Sequence, residues 1–201
     1  MTNQYNKLSV GLALLFELIL VVTAILSTVS GEWKNVALTM LAMVCLMLPF
    51  IITRIADMKM VVLPSGFQIM ALVFIFLAQY LGEIRNFYHM LWWWDLLLHA
   101  IFGSYAVITA LHIIKGIIIK ERETTTKRFG FFAVIFAFSF SIALGTLWEV
   151  FEFTGDYLLK TNMIKGGLED TATDLIVKIL AAFTTSVIGY YCFIKPKKFY
   201  P

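Results

Sequence analysis

Charge is scarce in this chain: only 14% of its 201 residues are Asp, Glu, Lys or Arg, against 60% that are hydrophobic. A soluble domain of this size could not cover its surface with so few polar groups, so a soluble globular fold is excluded. Cysteine is scarcer still. Cys45 and Cys192 fall in separate apolar segments, which argues against a structural disulfide and says nothing of redox compartment. No HExxH, GxSxG, phosphate-loop glycine motif or cysteine metal motif is present, which removes the usual signatures of zinc proteases, serine hydrolases and nucleotide enzymes. There is no internal repeat, low-complexity tract or long linker, so one domain over residues 1–201 is the simplest division.

What the chain has in abundance is long apolar runs. A membrane-spanning helix needs about 20 mostly apolar residues, and six stretches approach that length: roughly 8–29, 36–53, 63–81, 91–114, 129–158 and 172–194. The alternation of a barrel strand is absent, and lipid requires every backbone polar group to be satisfied within its own segment. The expected fold is therefore all-α, a six-helix bundle with the lipid bilayer as its partner and no nucleic-acid partner. The first run follows Lys7 alone and precedes small residues near Ser27 to Ser30. Its length and the lack of an A-x-A site favour a retained helix over a cleaved signal.

Orientation is read from the basic residues. The N-terminal tail, second and fourth loops and C-terminal tail hold 11 of the 16 Lys and Arg, while the first, third and fifth loops hold Lys34, Arg85, Lys160 and Lys165. The positive-inside rule then puts both termini in the cytoplasm. The five tryptophans, Trp33, Trp92, Trp93, Trp94 and Trp148, would lie at outer helix ends, where amphipathic rings suit the headgroup layer. The fourth loop, with Lys115, Lys120, Arg122, Lys127 and Arg128 beside Glu121 and Glu123, reads as a solvated topogenic loop near anionic lipid.

Against this apolar background a few ionisable residues stand out. Asp95 and His99 open the fourth segment one turn apart, Glu149, Glu152 and Asp156 close the fifth, and Asp170 and Asp174 open the sixth with Lys178 one turn further on. All are expected toward the outer side. Asp170 and Asp174 could serve only the helix start, where acids suit the macrodipole and Thr171 to Asp174 has the spacing of a capping box. The fifth segment resists such an explanation. Glu149, Glu152 and Asp156 are spaced i, i+3, i+7 on one face over about 10 Å, near a C-terminus that disfavours negative charge. Gly145 and Gly103, one turn from Glu149 and His99, would let neighbouring backbones approach.

A charged group at the bilayer centre costs about 2.5 to 3.5 kcal/mol even on insertion scales, so six acids beside one imidazole need compensation. Bound protons, pairing with Lys178 or a divalent ion would each supply it. Asp95, His99, Glu149, Glu152, Asp156, Asp170 and Asp174 are the candidate metal ligands, and carboxylates with one imidazole suit Zn, Mn, Fe or Mg. Glu17, in the middle of the first segment, reads as a hydrogen-bonded bundle residue. Glu83, Arg85 and His89 read as interfacial, and His112 lies far from the cluster.

Four blocks in order, Asn86-Phe87-Tyr88, Trp94 to His99, Leu147 to Phe153 and Leu168 to Leu175, resemble the signature blocks of the YjdF-like bacterial inner-membrane proteins. The resemblance covers about the C-terminal two thirds and implies a polytopic protein of the bacterial cytoplasmic membrane. Asp95, His99, Glu149, Glu152, Asp170 and Asp174 would be its signature residues, with Lys178 standing where relatives often carry an acid. The family brings no established reaction. The residues themselves support a metal-dependent hydrolase acting on a lipid or envelope substrate, with Glu149 or Glu152 as general base. A proton- or cation-coupled transporter, and a bundle whose polar network only fixes helix register, are the alternatives. The inner halves of the last three segments offer little polarity beyond Ser139, Ser141, Thr184, Thr185 and Ser186, which favours a site on one face over a path across.

Overall fold

A computed structural model describes residues 7–117, 125–159, 163–164 and 166–194. The helices are α1 (Lys7–Val29), α2 (Trp33–Met58), α3 (Phe67–Ile75), α4 (Phe87–Met90), α5 (Trp94–Ile117), α6 (Thr126–Leu159) and α7 (Leu168–Ile194), with a π-helical segment, Phe76–Ile84, continuing α3. No strand occurs among the described residues. Among the described residues six helices are long and apolar enough to cross a membrane, α3 and the π-helical segment counting as one. The all-helical expectation thus holds. The expected basic residues Lys120, Arg122, Lys160, Lys165, Lys195, Lys197 and Lys198 lie outside the described residues.

The chain divides into two compact units, the first ending at Asp95 and the second beginning at Leu96. In the first, Leu20 of α1, Ala42 and Leu46 of α2 and Leu72 of α3 form a buried core. Phe16 stacks on Phe76 with ring centroids 4.0 Å apart. Its polar interior is a short chain of hydrogen bonds, in which Ser9 donates to Gln68 at 2.7 Å and Gln68 donates to Thr53 at 3.2 Å. In lipid such pairings replace the water these groups lose.

The third span departs from a plain α-helix. After Ile75 the backbone widens into nine residues of π-helix, closed by an Arg85 N–H that donates to Tyr80 O at 2.8 Å. Asn86 follows in the left-handed conformation at φ 62°, which an asparagine tolerates better than most residues. The chain then turns so sharply that a Cβ on Gly82 would lie 2.3 Å from the Tyr88 ring. Hydropathy carries no signal for this widening.

The second unit packs α5, α6 and α7 on small residues. Ala133, Ala137, Ser141, Gly145 and Glu149 recur every fourth position of α6 and all are buried, as are Asp174, Lys178, Ala182 and Ser186 of α7. Without a hydrophobic drive between helices in lipid, close backbone approach along such stripes is what holds spans together. Val107, Ala110 and Leu111 of α5 complete the apolar half of this core. The polar half, at the other end of the same stripes, carries the ionisable residues.

Two boundaries differ from expectation in ways that matter. α7 begins at Leu168, earlier than 172, so Thr171 lies inside the helix with its N–H bonded to Gly167 O at 3.2 Å. The capping-box reading is therefore corrected. α6 runs for 34 residues, about 51 Å of helix, well beyond a hydrocarbon core of about 30 Å. Asp156, in its last turn, can therefore stand outside the apolar layer.

Candidate polar and metal site

Three ligand atoms, one each from Asp95, His99 and Asp174, lie within 4.8 Å of one another. Asp95 and His99 are one turn apart on α5, and α7 brings Asp174 to them. His99 Nε2 stands 3.2 Å from Asp174 Oδ2. His99 and Asp174 are 6% and 3% exposed, and Asp95 is half-buried. Two carboxylates and an imidazole in one spot form a donor set that a divalent ion could take.

One turn along α7 from Asp174 lies Lys178, only 2% exposed. Its ammonium donates to Glu149 Oε1 and, at 3.3 Å, to Gly145 O. Glu149 is itself 5% exposed, and its Oε2 has no hydrogen-bond partner among the described residues. Two glycines make room for the lysine. A Cβ on Gly145 would come within 2.8 Å of Lys178 Cδ, and one on Gly103 within 3.0 Å of Lys178 O. Gly103 thus admits the α7 backbone, whereas Gly145 admits the lysine side chain, a neighbour the glycine spacing alone did not specify. Ser141 ties the third side by donating to Gly103 O at 2.8 Å.

The remaining acids separate. Asp156 accepts the backbone N–H of Met163 at 2.6 Å and of Ile164 at 2.8 Å, pinning the connection that follows α6. Glu152 and Asp170 are half-buried and stand outside the three-residue group. Asp170 Cβ would lie 2.9 Å from a Cβ on Gly166. Glu17 is half-buried in α1, His89 is exposed and His112 half-buried. The charge of four of the six acids is therefore divided: Lys178 neutralises Glu149, backbone amides satisfy Asp156, and Asp174 lies against the imidazole of His99 with Asp95 in the same group. Of the polar residues of the inner halves, Ser141 and Ser186 are buried, Ser139 and Thr184 are exposed and Thr185 is half-buried.

A polytopic helical membrane protein with a buried carboxylate and histidine group is the class that fold and site define. The chain belongs to the family described as "Predicted membrane protein (DUF2238)", whose model matches residues 10–195. It is also similar to an uncharacterized protein of Thermotoga maritima, 32% identical over 142 residues, which are 71% of this chain and 69% of the relative. No solved structure matches.

Proposed function

We propose that Asp95, His99 and Asp174 form a divalent metal centre and that the protein is a metal-dependent hydrolase of the bacterial cytoplasmic membrane, acting on a lipid or envelope substrate from the outer face. The observation that supports this reading is the convergence of three ligand atoms within 4.8 Å in a mostly buried setting. With three protein ligands, positions remain for water. A bound Zn, Mn, Fe or Mg ion would lower the pKa of that water and polarise an ester or amide carbonyl. Glu149 or Glu152 would take the proton as general base. Glu149 is the stronger choice, since Lys178 holds one of its oxygens while the other has no hydrogen bond among the described residues. Asp170 would act beside the group and Asp156 in positioning the adjoining connection.

Metal analysis of protein purified in detergent without chelator tests this directly. About one ion per chain is expected in wild type, with His99→Ala and Asp174→Asn each losing it while the helical content stays unchanged. Should wild type hold no ion, and should added Zn, Mn or Mg leave its thermal midpoint where it was, the proposal fails.

A second reading, proton or cation transport, draws on the Lys178 and Glu149 pair one turn from Asp174, where a relay would take its next step. Beyond that pair the buried polar groups among the described residues of α5 to α7 dwindle to Ser141, already committed to Gly103 O, Ser186 and the Thr109 hydroxyl. That scarcity supports the enzyme over the relay.

A further inference from the structure

The first unit holds a groove that the proposed centre does not use. It encloses about 540 Å³ between α1, the start of α2 and the end of the π-helical segment, within the range of about 300 to 1,000 Å³ usual for ligand pockets. Its composition is graded along its length. Leu18, Ile19 and Val22 line one end, whereas Ser30, Glu32, Asn35 and Arg85 line the other. From Leu18 to Ser27 the α1 wall runs about 14 Å, close to half of the roughly 30 Å hydrocarbon layer. The groove therefore matches the depth of one leaflet, and its polar end, at the C-terminal end of α1 and the start of α2, suits the headgroup level.

The polar end carries both signs of charge. Asn35 donates to Glu32 Oε2 at 2.6 Å, which fixes the carboxylate at the start of α2. Arg85 closes the π-helical segment, and among the described residues no carboxylate pairs with it. A guanidinium suits a phosphate, which it can grip with two parallel hydrogen bonds. A carboxylate suits an ammonium. Among the described residues Tyr80 is the one ring in the lining, already stacked on Phe76, and a single ring does not make the aromatic cage that quaternary ammonium groups prefer. A primary ammonium, which can donate hydrogen bonds to Glu32, fits better. π-helical segments also recur at functional sites, where the widened backbone reshapes a wall; here the segment supplies Tyr80, Ile84 and its cap Arg85.

The geometry points to a binding site for one zwitterionic glycerophospholipid with a primary ammonium headgroup. One acyl chain lies along Leu18, Ile19 and Val22, the phosphate sits at Arg85 and the ammonium at Glu32. The inference stands apart from the metal centre and does not depend on it.

Native mass spectrometry of the full chain, released from nanodiscs of equimolar phosphatidylethanolamine, phosphatidylglycerol and phosphatidylcholine, tests it. One phosphatidylethanolamine per chain should be enriched over the other two. Arg85→Gln should lower that adduct about tenfold, the loss of one charge-assisted contact, and Glu32→Gln should remove the preference over phosphatidylcholine. Val22→Trp should empty the groove, while Lys34→Gln, an exposed cation outside the lining, should change nothing. Arg85, Glu32 and Val22 are all exposed, so these variants should fold. Enrichment of phosphatidylglycerol, equal retention by Arg85→Gln, or no enrichment at all overturns the assignment.

Discussion

Lys178 of α7 and Glu149 of α6 form an ion pair in which both side chains are buried. Removing one partner of such a pair strands the other charge, which typically costs about 3 to 5 kcal/mol, whereas replacing both with apolar groups can be nearly neutral. Lys178→Met and Glu149→Gln should each lower the thermal midpoint in detergent steeply. The double variant Lys178→Met with Glu149→Leu should recover most of the loss. Additive losses in that cycle would mean that the two side chains do not act as a pair.

The two glycines beside Lys178 should respond differently to alanine. At Gly103 the added methyl meets the α7 backbone, while at Gly145 it meets the Lys178 side chain. Overpacking costs about 1 to 3 kcal/mol at either position. In a Lys178→Ala background the cost of Gly145→Ala should vanish, and that of Gly103→Ala should persist. Melting curves of the four variants decide it, and a Gly145→Ala cost that survives without the lysine would refute the assignment of the contact.

Six apolar runs were readable because span length and composition depend only on lipid thickness and backbone satisfaction. Asp95, His99 and Asp174 were readable as candidates because ionisable groups in such runs stand out. Which acids meet was less legible. Glu149 and Asp156 share a helix face, yet one meets a lysine on α7 and the other meets backbone amides beyond the end of α6. A periodicity fixes the face and leaves the partner to the neighbouring helix. The π-helical widening at Phe76 to Ile84 had no counterpart in hydropathy, which measures how apolar a run is and not how its backbone hydrogen bonds are spaced.

Orientation is open to a direct test. Both termini are expected in the cytoplasm, from the excess of Lys and Arg in alternate loops. With Cys45 and Cys192 replaced by serine or alanine, single cysteines at Lys120 and Lys160 should label from opposite sides in intact cells, the Lys160 position from outside. Labelling of Lys160 only after the membrane is breached would reverse the topology and would place the polar site on the cytoplasmic face.

Asp156 offers a prediction that separates the connection after α6 from the metal group. Its two carboxylate oxygens accept the amides of Met163 and Ile164, and a buried or half-buried donor left without its acceptor costs about 1 to 3 kcal/mol. Asp156→Ala should therefore speed hydrogen exchange at those two amides while leaving α5 and α7 protected. Because Asp156 stands apart from Asp95, His99 and Asp174, the same variant should keep any bound ion that His99→Ala loses. Loss of the ion from Asp156→Ala with exchange at Met163 and Ile164 unchanged would make Asp156 a ligand and not an anchor of the connection.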